Sequence, residues 1–105
     1  MKLIGRGSVL LLILLGAACR GPTAEDRDNR RVLDEILTAI TIKNPRLLEA
    51  AAERAKTRHD AGQLSDDDFQ AMQSFIDAGR HGDWSAAETA GYVFRKQRPF
   101  VRGGQ

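Results

Sequence analysis

Seven consecutive apolar residues, Val9 to Leu15, lead into Gly16, Ala17, Ala18 and Cys19, and this stretch constrains the chain more than any other feature. A bilayer-spanning helix needs about 20 apolar residues, so the run is too short to cross a membrane even with its flanks. Lys2 and Arg6 precede it and small residues follow it, which is the three-part order of a secretory signal. With residues 1–18 set aside, a chain of 105 residues has room for one small domain.

The ending Leu15-Gly16-Ala17-Ala18-Cys19 resembles the lipobox of bacterial lipoproteins, in which small residues fit the signal peptidase and the cysteine thiol takes up diacylglycerol before cleavage. The leucine that usually stands three residues before the cysteine is replaced by Gly16, with Leu15 one place earlier. The resemblance implies a chain cut before Cys19, acylated on that residue and anchored to a membrane without a spanning helix. Each buried methylene contributes about 0.8 kcal/mol, so two or three acyl chains suffice for stable anchoring. The competing reading is an ordinary signal peptide cut after Ala18, with Cys19 left as a free thiol. In lipoproteins of two-membraned bacteria an Asp after the cysteine favours the inner membrane; Arg20 here implies the periplasmic face of the outer membrane, with the outer leaflet of the inner membrane as the alternative. As the only cysteine, Cys19 cannot form an intramolecular disulfide, so the domain must hold without staples.

A formal charge of +2 and a pI near 9.0 suggest affinity for polyanions, but Lys2 and Arg6 account for the whole excess. From Cys19 onward basic and acidic residues balance, and a neutral module lacks the field that draws nucleic acid.

Residues 19–28 carry no large apolar side chain after the cysteine and are expected to form a flexible tether. From Asn29 to Ile42, Val32, Leu33, Ile36, Leu37 and Ile40 recur at the three-and-four spacing of one helix face. Asn44 before Pro45 reads as a cap and first turn of a second helix, with Leu47, Leu48, Ala51, Ala52 and Ala55 on its inner side and Gly62 as its stop. Ser65 opens a third helix, with Asp66, Asp67 and Asp68 in the first turn and Leu64 and Phe69 as a hydrophobic staple. A fourth begins at Asp83 or at Ser85, the latter paired with Glu88 in a capping box. It places Trp84, Ala87, Gly91 and Phe94 on one side and stops at Pro99. The pattern predicts an all-α fold: a small antiparallel bundle of three or four short helices over residues 29–98, behind a cleaved signal segment and before a frayed tail at 99–105. Leu64, Phe69, Phe75, Ile76, Trp84 and Phe94 are the expected core. At about 70 residues such a domain holds only a few kcal/mol of net stability, which favours a module that works with a partner.

The residues that could carry chemistry are few. Asp66 to Asp68 could attract a cation, yet helix capping explains them and no alternating calcium-loop pattern accompanies them. His59 and His81 are the only histidines, and neither has zinc-ligand spacing. No hydroxyl nucleophile stands in a recognisable arrangement with a base, so no catalytic, metal or cofactor residues are assigned and the chain is not expected to be an enzyme. Phe94, Arg95, Lys96, Arg98, Phe100 and Arg102 form a basic, partly aromatic tail; it reads first as a solvated helix end and second as a contact for anionic lipid or an acidic partner.

Gly62-Gln63-Leu64-Ser65, then Met72, then Asp83-Trp84 with Ala86 and Ala87, together resemble the helical domain shared by the steroid receptor RNA activator protein and the C-terminal end of the vesicle outer-coat scaffold protein. There too a Gly-x-Leu-Ser turn opens one helix and a Trp opens the next. The resemblance spans residues 45–95; it implies a helical bundle, of five helices in that family, that binds proteins and has no catalytic residues to carry over. The expectation is therefore a lipid-anchored interaction module that binds an envelope protein or associates with itself. The alternatives are a small metal-binding or catalytic lipoprotein and an anionic-lipid surface module.

Overall fold

The computed structural model describes residues 23–100, and within them the chain is all-α. Its elements are α1 (Ala24–Thr41), α2 (Pro45–Asp60), α3 (Asp66–Arg80) and α4 (Trp84–Gln97). Short turns make successive helices antiparallel. Pairs of neighbours close a square, in which α1 packs on α2 and α4, α3 packs on α2 and α4, and α1 also touches α3 across the diagonal.

Helix α1 starts five residues before the apolar pattern does, which corrects the expected tether over residues 19–28. Thr23 caps it, its hydroxyl oxygen accepting from the Asp26 N–H at 3.0 Å, while Glu25 and Asp26 favour the positive end of the helix dipole. Capping and charge extend the helix where there is no apolar surface to bury. Further along, Leu33, Ile36, Leu37 and Ile40 are all buried, each contributing about 1.5–3 kcal/mol. This makes α1 the central element, although none of its residues is in the expected core of Leu64, Phe69, Phe75, Ile76, Trp84 and Phe94.

The buried face of α2 consists of Leu48 and three alanines, Ala51, Ala52 and Ala55, so its backbone can lie close to α1. Leu47, expected on that face, is 45% exposed. It stands 100° around the helix from Leu48, and a face built of alanines is too narrow to cover both. Helix α3 buries Met72, Phe75 and Ile76 and is capped by Ser65, whose hydroxyl oxygen accepts from the Asp68 N–H at 3.1 Å. Leu64 is buried beside it, and Phe69 lies half-buried against the core with Trp84 and Phe94. The cap of α4 is Asp83, accepting from the Ala86 N–H at 3.2 Å; Glu88 is drawn to Thr41 across the bundle and closes no box with Ser85. Gly91 faces Leu37, where an added methyl group would overlap the present position of the leucine side chain and require it to shift.

The three inter-helix turns share one geometry. Each helix ends with two backbone bonds running back into its last turn, as in Lys43 N–H to Ile40 O and Asn44 N–H to Ala39 O, with a left-handed residue just after the C-cap. Gly62 (φ 76°) and Gly82 (φ 80°) fill that position after α2 and α3, but after α1 it is Lys43 (φ 55°). A side chain with a Cβ pays about 1–2 kcal/mol for this conformation.

The expected fray at 99–105 is corrected at Phe100, which is 7% exposed. It adopts φ 61°, turning the chain back so that its ring meets Phe94 edge-on at 6.2 Å while the Arg98 guanidinium lies 4.5 Å over its face. The described fold thus includes every residue from Ala24 to Phe100, and no described helix is long and apolar enough to cross a membrane.

Candidate functional site

Cys19, the expected lipid attachment residue, lies outside the described residues, as does Arg102 of the basic tail. The topology gathers at one end of the bundle the start of α1, the α2–α3 turn and the end of α4. This proximal end is the one next to Cys19 in the chain. It is held by a polar knot around Asn29, the buried polar residue of the core. The Asn29 amide nitrogen donates to Gln63 O at 3.0 Å, and its amide oxygen accepts from Arg58 Nε at 2.6 Å. Arg58 reaches on to Glu25 O, and Arg30 Nη1 donates to Pro99 O at 2.9 Å. Two helices, a turn and the segment after α4 are joined through two arginines and one asparagine.

The basic tail is drawn into the same end. Arg95 stands 3.5 Å from Asp34 and Arg98 3.1 Å from Asp68, so two of its described cations are already matched by carboxylates of α1 and α3. Asp66 and Asp68 are likewise occupied: the Asp68 carboxylate by Arg98 and its backbone N–H by the Ser65 cap, and Asp66 by His59. His59 stacks on Phe69 with ring centroids 4.2 Å apart, its Nε2 2.6 Å from Asp66 Oδ1. His81 Nδ1 lies 2.7 Å from Asp77 O. Among the described residues no three His, Cys, Asp or Glu side chains are grouped to hold a metal ion.

The opposite, distal end carries the α1–α2 and α3–α4 turns. Ile42 and Leu47 flank the first of these and are 57% and 45% exposed. Nearby, Arg80 of α3 grips Glu49 of α2 with two bonds, Nε to Oε2 at 2.8 Å and Nη2 to Oε1 at 2.9 Å. That bonding lowers the Glu49 carboxyl below its ordinary range and raises the Arg80 guanidinium above its own.

Between α1 and α2, on the outer surface, runs a groove of about 560 Å³ that the sequence reading did not identify. Val32 and Ala50 lie along its floor; Asp28, Arg31 and Glu35 of α1 and Glu53, Arg54 and Arg58 of α2 line its walls. Arg54 Nε donates to Glu35 Oε1 at 2.7 Å, and Arg58 lies 3.8 Å from Asp28, so the two helices are level at these pairs. No protein-family model, curated protein or solved structure matches the chain.

Proposed function

We propose that this chain is a lipoprotein, cut before Cys19 and acylated there, that holds a small helical protein-interaction module at the periplasmic face of an outer membrane. The observation that carries the reading is the order Lys2 and Arg6, Val9 to Leu15, then Gly16-Ala17-Ala18-Cys19. Two features of the fold support it. No described helix is long and apolar enough to cross a membrane, and the first described helix begins at Ala24. Four residues then separate the cysteine from α1, a span of about 17 Å when fully extended. The interaction role draws on the resemblance at Gly62 to Ser65 and at Asp83-Trp84, residues that sit at the starts of α3 and α4.

Mass spectrometry of the chain purified from a membrane fraction tests the anchor. The expected product begins at Cys19 and carries the added mass of two or three acyl chains; Cys19→Ala should leave it unprocessed. A product beginning at residue 19 with an unmodified thiol rejects the reading.

One observation favours a second role, contact with anionic lipid. The end of α4 lies at the proximal end, where a short tether brings Lys96 and its neighbours close to headgroups. Binding of the chain to phosphatidylglycerol vesicles that weakens with salt supports this role; salt-independent or absent binding rejects it.

A further inference from the structure

We propose that the face formed by α1 and α2 is the docking surface for a second copy of this chain, the two related by a twofold axis that runs along the bundle. The inference rests on the anchored reading above and names its partner. The groove walls hold three acidic residues, Asp28, Glu35 and Glu53, and three basic ones, Arg31, Arg54 and Arg58. A partner of uniform charge would meet half of them with the wrong sign. A second copy of a neutral, mixed surface can match them all.

Membrane geometry selects the arrangement. Helix α1, with 18 residues, is about 27 Å long. In an antiparallel pair of upright bundles the two attachment points would stand at opposite ends of that length, beyond the roughly 17 Å that four tether residues allow. Anchors in one leaflet therefore require a parallel pair, and face-to-face twofold symmetry then sets α1 of one copy against α2 of the other at the same height. Within one chain Glu35 is level with Arg54 and Asp28 with Arg58. Across the axis Glu35 accordingly meets Arg54 of the second copy and Asp28 meets its Arg58. Arg31, one helical turn from Glu35, reaches Glu53 of the second copy. Among the described residues neither Arg31 nor Glu53 forms an ion pair within 4 Å; Glu53 feels the charge of Lys56 on its own helix, and both Arg31 and Glu53 line the groove. Val32 and Ala50 supply the apolar floor that the pair closes over.

Symmetry makes each substitution act twice, and because Arg31 and Glu53 form no such pair among the described residues their reversal should spare the fold. The test is Förster transfer between two populations of the mature protein, labelled at the C-terminus with donor and acceptor and reconstituted together in phosphatidylethanolamine vesicles. Wild-type chains should transfer above the level of random collision. Arg31→Glu alone and Glu53→Arg alone should each weaken the pair about tenfold, since two contacts turn from attractive to repulsive. An equal mixture of the two variants should regain transfer, because every altered contact again joins opposite charges. Circular dichroism should show both variants as helical as the parent. Absence of wild-type transfer, indifference to either reversal, or failure of the mixture to recover would each overturn the proposal. The mass of the same sample separates the two readings: an unacylated chain that keeps the charge-swap pattern removes the anchor and leaves the interface, whereas an acylated chain without the pattern does the reverse.

Discussion

The two ends of the bundle are built by different means. At the distal end the chain reverses through local turn chemistry, with Asn44 capping α2, Asp83 capping α4, and Lys43 and Gly82 in left-handed conformations. At the proximal end, distant segments are sewn together: Asn29 to Gln63 and Arg58, Arg30 to Pro99, Arg98 to Asp68, with Phe100 folded in beneath. Local turns fix the direction of the chain, while the stitches fix which helices share an end. The distal end is also crossed between helices, but by exposed bonds, Arg80 to Glu49 and Thr41 to Glu88, so it should open more readily than the proximal end, whose stitches include the buried Asn29 and Phe100.

If that contrast holds, the largest loss should come from Phe100→Ala. Removing a buried ring from the proximal end costs about 3 kcal/mol, read as a lower midpoint in urea, and a loss below 0.5 kcal/mol would show a ring that merely rests on the surface. Asn29→Ala comes next, at about 2 kcal/mol, because the Gln63 carbonyl and the Arg58 guanidinium lose their shared partner. A thermal melt checks it; a cost no larger than that of an exposed alanine substitution removes the knot from the account. At the distal end the sign should reverse. Lys43→Gly should stabilise by about 0.5–1 kcal/mol, since glycine occupies the left-handed position without strain but gains more freedom when unfolded. A destabilised variant would mean that the lysine side chain contributes a contact worth more than the strain.

The smallest effect is one of pH. Glu49 is held below its ordinary range by Arg80, so its contribution to stability is fully present above the unfolded carboxylate value of about 4.3 and is lost as pH falls through the lower folded value. The pair is largely exposed, which limits the effect to about 0.5 kcal/mol. The difference in stability between the parent and Glu49→Gln should shrink on acidification across that window; a constant difference would show that the charge of Glu49 does not matter.

The same division explains what could be read in the sequence. Caps at Asn44 and Ser65, the stop at Gly62 and the apolar face of α1 depend on residues within a few positions of one another, and each lies where its spacing placed it. The start of α1 escaped because capping by Thr23 and two acidic residues extends a helix that has no apolar signal there. Phe100 was read as frayed because its partners Phe94 and Arg98 pull it in only once the chain has turned at a strained residue. The α1–α2 groove was hidden for another reason: its walls come from two helices whose relative height follows from the pairs Glu35–Arg54 and Asp28–Arg58. Each of these charges, taken alone, looks like an ordinary solvated face.

Trp84 gives the distal end its own optical reporter. It is the one tryptophan of the sequence, and its ring lies half-buried over Gly79, whose hydrogen leaves room for it. Its emission should shift to the red when the corner between α3 and α4 parts, whatever the state of the far pole. Comparing that colour change with the loss of helical dichroism during denaturation shows whether this corner lets go early or with everything else. The chain needs no added dye for the measurement.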